Sequence, residues 1–157
     1  MLFPKKEKIL PAVADGEAIP LSAVPDEAFA SGMLGTGFGI KPTSGTIYCP
    51  ANGKIVGITE TRHAYTVLTD DGLDLLIHVG IDTVKLGGEG FISMVVEGER
   101  VKAGSILARA DLDLITLRGY PTVTVVLVTN PEQLAKSSFS FGKVLGGQSE
   151  VMRYRHQ

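Results

Sequence analysis

Three histidines occur in the sequence, and one of them, His78, sits inside an apolar run, "LLIHVG" at 75–80. A second, His63, precedes the run "AYTVLT" at 64–69, with Thr61 two residues before it. Between the two runs stands "TDDG" at 69–72, a tight turn of the kind that joins antiparallel strands. A hairpin centred on 70–72 brings position 63 across the ladder from position 78. The two imidazoles then meet, and Thr61 adds a hydroxyl one pleat earlier on the face of His63. In an extended strand His78 shares a face with Leu76, while Leu75, Ile77 and Val79 share the other. Both faces are apolar, so the imidazole lies on a hydrophobic surface or in a shallow pocket where one hydrogen bond can fix its tautomer.

Two close imidazoles and a hydroxyl support several chemistries. A covalent nucleophile needs a nitrogen lone pair, an orienting partner and donors for developing negative charge, and His78, His63 and Thr61 supply all three. A zinc site takes two histidines but needs at least one more ligand. Asp82 and Glu89 are near in sequence, yet no motif forces them to coordinate. A serine triad lacks its G-x-S-x-G elbow, for which "SSFS" at 137–140 is a poor substitute. A purely structural role for both histidines also remains open on these residues alone. Cys49, before Pro50, reads as a buried structural thiol with no adjacent base, and His156 in the terminal "YRHQ" reads as frayed surface. The glycines of "GTGFG" (35–39) and "GGEG" (87–90) lack the lysine-serine ending of a phosphate loop. They read as turns that let the backbone pass close to a flat surface.

The elements that must position these residues are short β-rich runs between glycines: 8–13, 45–50, 53–58, 64–69, 73–80, 91–96, 105–110, 121–129 and 150–155. So many strands and corners argue for an all-β sandwich or barrel, and βαβ crossover helices have nowhere to go. The best helix candidate is "PEQLAKSSF" at 131–139, with Pro131 in its first turn and Leu134 as anchor. The 157 residues suit one domain burying roughly 68–70% of its unfolded surface. With 44% hydrophobic and 20% charged residues the chain is an ordinary globular protein. Its net charge of −2 gives no reason to expect nucleic acid or an anionic membrane as partner. The apolar run "VTVVLV" at 123–128 is far shorter than a spanning helix of about 20 residues. No signal-peptide layout follows "MLFPKKEK", and the single cysteine excludes an internal disulfide, so a cytoplasmic location is expected. Met1 and the short leader favour a separate polypeptide.

The segment "VVEGERVKAGSILARA" (95–110) resembles the hammerhead pattern of biotinyl and lipoyl carrier domains, although neither Lys54 nor Lys102 has the neighbourhood of a modified carrier lysine. A more specific likeness runs through "VPDEAFASGMLGTGFGIKP" (24–42), "CPANGKIVGITETRHAYTV" (49–67), "GLDLLIHVGIDTVKLGGEGF" (72–91), "EGERVKAGSILARADL" (97–112) and "PTVTVVLVTN" (121–130). These residues resemble the glucose-type enzyme IIA domain of the bacterial phosphoenolpyruvate-dependent sugar phosphotransferase system, over about residues 10–155. The resemblance implies one IIA domain over 1–157, a compact antiparallel β-sandwich or barrel-sandwich hybrid with short peripheral helical turns.

It further implies that His78 accepts a phosphoryl group through Nε2 from the histidine of the phosphocarrier HPr. His78 then passes the group to a cysteine of a sugar-specific IIB domain or IICB permease, with no cofactor or metal. His63 is expected to contact the phosphoryl oxygens, Thr61 to hydrogen-bond the active histidine, and Asp82 to help meet a basic partner. The expected docking surface is Phe38, Ile40, Leu76, Val79 and Val84, with Met33 and Leu34 at its margin. Two departures stand out: Thr36 occupies a position that is often acidic in the family, and 113–120 has an unusual sequence. A regulatory module, switched by phosphorylation and docking on a permease or metabolic enzyme, is the competing reading; a zinc hydrolase is a weaker third.

Overall fold

A computed structural model describes residues 6–157. In chain order its elements are β1 (Lys8–Pro11), β2 (Gly16–Pro20), α1 (Glu27–Ala30), β3 (Thr36–Pro42), β4 (Thr46–Tyr48), β5 (Gly53–Ile58), β6 (Ala64–Thr69) and β7 (Asp74–Val79). There follow β8 (Phe91–Ser93), β9 (Arg100–Val101), β10 (Ile106–Ala110), α2 (Leu112–Leu117), β11 (Thr124–Val128), β12 (Leu134–Phe139), β13 (Gly142–Val144) and β14 (Glu150–His156). An eight-stranded sheet has the order β13-β2-β3-β11-β7-β6-β5-β9, and two three-stranded sheets have the orders β1-β14-β12 and β4-β10-β8. The ladders are antiparallel, so the all-β antiparallel architecture with short helical turns is as the sequence indicates.

The large sheet carries different cover on its two faces. Its inner face, with Phe38, Ile40, Tyr65, Leu75, Ile77, Val79 and Val126, packs with Leu10, Ile47, Leu107, Val151 and Met152 from the smaller sheets. On the outer face lies a second cluster, in which Val125 and Leu127 of β11 pack with Ile19, Val24, Phe29, Ile81 and Val123. All five residues of β11 are therefore buried, which is why its sequence is continuously apolar instead of alternating. Gly39 makes this second layer possible: a Cβ there would lie 2.9 Å from Val24 Cγ2 and 3.0 Å from Ile19 Cγ1.

The hairpin between β6 and β7 has the turn foreseen from "TDDG". Its ladder runs from Ala64 opposite His78 to Leu68 opposite Asp74, and Thr69 Oγ1 accepts from the Leu73 amide at 2.8 Å. Three expectations are corrected. Residues 131–139 are a single 3-10 turn (Pro131–Gln133) followed by β12. Proline starts the turn, but the residues after it pair with β14, and that ladder outweighs helix propensity. The glycines at 35–39 fall largely in the strand β3, whereas "GGEG" is a turn. His156 is not frayed: it ends β14 and its Nε2 lies 2.8 Å from Asp71 Oδ2.

The positions of two short helices were not foreseen, each started by an aspartate whose side chain accepts a backbone amide three residues on: Asp26 from Phe29 and Asp111 from Leu114. The second overlaps the divergent 113–120 stretch. Among the described residues no helix is long and apolar enough to cross a membrane.

Candidate functional site

His78 stands half-buried on the outer face of the sheet, one residue from the end of β7. Its Nδ1 lies 2.8 Å from the carbonyl oxygen of Gly80. A carbonyl only accepts, so Nδ1 carries the proton and Nε2 keeps its lone pair. The local sequence explains the contact. Gly80 has φ +80°, and a Cβ there would lie 2.4 Å from Thr83 Cγ2 and 3.1 Å from the Pro121 oxygen, so only glycine fits. Thr83 in turn donates to the Val79 carbonyl at 2.6 Å, closing the bend that follows the strand.

Two rings flank the imidazole edge-on. His63 lies 4.8 Å from it between centroids, at 82°, and Phe29 lies 5.1 Å away at 61°. His63 is buried, and its position is fixed by a turn that precedes β6. Thr59 Oγ1 accepts from the amides of His63 and Ala64, both at 3.1 Å, and the His63 carbonyl accepts from the Val79 amide at 2.7 Å. The ring's Nδ1 is held by Thr61 Oγ1 at 2.6 Å, with Thr59 Oγ1 at 3.3 Å. Its Nε2 is the nitrogen left over.

The two histidines meet as the hairpin arithmetic expected, but not as a directly opposed pair. The ladder sets Ala64 opposite His78, the register a hairpin centred on 70–72 gives and one position from a His63–His78 pair, and His63 reaches its partner from the turn. Thr61 likewise lies in that turn and not one pleat along a strand. Its hydroxyl, expected against the active histidine, is on His63 instead.

Burial lowers the basicity of both rings. For His78 desolvation is the main cause, offset in part by the Gly80 carbonyl and by the negative charges of Asp26 and Asp82. For His63 desolvation and the neighbouring His78 together bring the value from 6.5 to about 4. Both imidazoles are thus neutral at pH 7. Cys49 is fully buried, and its thiol is pushed up by the same desolvation, in keeping with its structural reading.

The expected docking residues separate into two groups. Phe38, Ile40 and Val79 are each 0% exposed and cannot meet a partner. Strand alternation turns Phe38 and Ile40 inward while Gly37 and Gly39 face out, and Val79 points away from His78. Leu76 is half-buried beside His78 on the outer face, and Val84, Met33 and Leu34 are exposed at 53%, 77% and 45%. Asp82 is exposed, with φ 60° at the start of the 3-10 turn Thr83–Leu86. Glu89 is bonded to Arg118 at 2.9 Å, and among the described residues no three His, Cys, Asp or Glu side chains are grouped to hold a metal. Sequence reasoning missed Phe29 and Asp26. The signal available was "DEAF", an N-cap aspartate ahead of a buried aromatic on one helical turn.

The family model for the phosphoenolpyruvate-dependent sugar phosphotransferase system, EIIA 1, matches residues 8–134. The chain is 49% identical over 121 residues to the PTS system glucose-specific EIICBA component of Staphylococcus saprophyticus, a match covering 77% of this chain and 18% of that protein. It therefore spans about a fifth of the length of that relative. Among solved structures, glucose permease IIA from Mycoplasma capricolum superposes with a TM-score of 0.86 at 34% identity, over 98% of this chain and 99% of that one.

Proposed function

The chain belongs to the EIIA 1 family of the phosphoenolpyruvate-dependent sugar phosphotransferase system and is a phosphoryl carrier of it, and on that premise we propose that His78 is the residue that carries the group. The observation that supports this is the Nδ1–H bond to the Gly80 carbonyl, which leaves Nε2 unprotonated beside His63 on the partner-accessible face.

The Nε2 lone pair attacks phosphorus in line as the bond to the donor imidazole of HPr breaks. The bonding pair returns to the donor nitrogen. When the donor ring is protonated on its other nitrogen it leaves neutral, and the positive charge passes to the His78 ring, whose Nδ1–H the Gly80 carbonyl already holds. The three phosphoryl oxygens need donors. His63 offers Nε2–H when its Nδ1 accepts the Thr61 hydroxyl, so Thr61 acts through His63. Positioning and this neutralisation supply the catalysis. The apolar surround limits attack by water on the P–N bond until a cysteine of a IIB domain takes the group.

Leu76, Val84, Met33 and Leu34 form the apolar part of the docking face, and Asp26 and Asp82 supply negative charge against a basic carrier. Both HPr and the IIB domain use this face in turn, since each must reach the same nitrogen.

The test is labelling through phosphoenolpyruvate, enzyme I and HPr, followed by intact-mass analysis of wild type and His78→Ala. One acid-labile phosphoryl group on wild type and none on the variant is the expected result; normal labelling of His78→Ala would overturn the assignment. In the His63→Ala protein acceptance should persist at least in part and onward transfer should be impaired.

A further inference from the structure

We propose that Arg62 is a positioning residue that clasps the His63 turn to the loop 87–91, an inference resting on the reading of His78 as phosphoryl acceptor. Among the described residues only Arg62 and Asp82 are non-glycine residues with left-handed φ, at 59° and 60°. An arginine holds that conformation only where its surroundings impose it. The turn itself supplies one contact, the Arg62 amide donating to the Thr59 carbonyl at 2.8 Å, and the side chain adds two that are long-range. Nε donates to the Phe91 carbonyl and Nη2 to the Gly88 carbonyl, each at 3.3 Å, across 29 and 26 residues of sequence.

The loop is shaped for this guest. Gly88 has φ +96°, and a Cβ there would lie 2.7 Å from Arg62 Nη2. The positive φ is what requires glycine at 88, and a side chain there would also push the guanidinium off its contact, which accounts for part of the "GGEG" pattern that the phosphoryl chemistry leaves unexplained. Among the described residues no carboxylate pairs with Arg62. Its planar fork is spent instead on two carbonyls that face it, a geometry lysine cannot reproduce. Arg62 lies between Thr61 and His63 in sequence. Holding it fixes the hydroxyl that orients His63 and the ring whose Nε2–H meets the phosphoryl oxygens, while His78 keeps its own support from Gly80.

The variants separate these effects. Arg62→Asn keeps a residue that tolerates the left-handed conformation but is too short to reach Gly88 and Phe91. Arg62→Lys keeps the charge and can reach only one carbonyl, and Gly88→Ala disturbs the contact from the other side. Each is labelled by HPr and then chased with a purified glucose-specific IIB domain, with the His63 ring nitrogens followed by NMR. Acceptance is expected to stay within about twofold of wild type, and onward transfer to fall about tenfold in Arg62→Asn and less in Arg62→Lys. The double variant Arg62→Asn/Gly88→Ala should lose less than the product of the two single losses, because both disturb the contact between Arg62 and Gly88. The His63 ring signals should broaden or shift in each.

Onward transfer by Arg62→Asn at the wild-type rate, or multiplying losses in the double variant, would overturn the clasp. If Gly88→Ala does not fold, the comparison of Arg62→Asn with Arg62→Lys decides alone. Absence of label on the wild type would be a failure of the acceptor assignment; unchanged His63 signals in Arg62→Asn would then refute the clasp separately.

Discussion

Replacing Thr61 by valine tests the link between the buried turn and the chemistry. Valine keeps the shape of threonine and removes its hydroxyl, which lies 2.6 Å from His63 Nδ1. A neutral hydrogen bond contributes about 1 kcal/mol net, and about 1.4 kcal/mol corresponds to a factor of ten in rate. With Thr59 Oγ1 still 3.3 Å away, part of the preference for the Nε2–H tautomer survives. Phosphoryl transfer from His78 to a IIB domain should therefore slow by about fivefold to tenfold, and stability fall by about 1 kcal/mol. The assay is rapid-quench chase of labelled protein, paired with ring ¹⁵N shifts that report which His63 nitrogen is protonated. Thr61→Ser should restore both, since the hydroxyl alone is at issue. Transfer by Thr61→Val at the wild-type rate with an unchanged tautomer would refute the reasoning, as would a serine variant as slow as the valine one.

Gly80→Ala forces a Cβ to 2.4 Å from Thr83 Cγ2 at φ +80°, so unfolding in urea should show a loss of about 2–3 kcal/mol, with the Nδ1–H signal of His78 shifted toward solvent exchange. The pH dependence of stability follows from the neutral histidines. The His63 value drops from 6.5 to about 4 on folding and that of His78 is also lowered, so between those limits the unfolded chain binds more protons. Stability should therefore rise from pH 4 to about 6.5 and level off above, and His63→Gln should flatten that slope. Asp71 accepts from Thr69 Oγ1, from Tyr154 Oη at 2.7 Å and from His156 Nε2 at 2.8 Å, with Lys8 at 3.4 Å. These partners hold its carboxyl below the ordinary value of 3.8 against the opposing effect of burial. Its stabilisation should be full above that value and vanish as pH falls through the depressed one. Asp71→Asn should cost about 2–4 kcal/mol by thermal or urea unfolding and remove the acid-side loss. Val84→Ser should raise the KM for HPr with little change in kcat, measured by labelling at varied HPr.

Much was legible from local signals. The alternation around His78, the "TDDG" turn and the spacing to His63 were enough to bring two imidazoles together, because an antiparallel hairpin couples positions through a short loop. Glycine spacing and short apolar runs were enough for an all-β antiparallel fold, since helical crossovers had no room. The family likeness was carried by the same residues.

What the tertiary structure decided depends on contacts far apart in sequence. Phe38, Ile40 and Val79 are as apolar as Leu76 and Val84, and only the packing of the smaller sheets against the inner face makes the first three core and leaves the others at least partly open to solvent. Leu134–Phe139 became a strand because β14, from the end of the chain, pairs with it. Thr61 chose His63 over His78 because the turn at 59–63, not a continued strand, sets its direction. The charge on Arg62 is visible in the sequence. The carbonyls that receive it come from residues 88 and 91, and only the folded chain brings them to it.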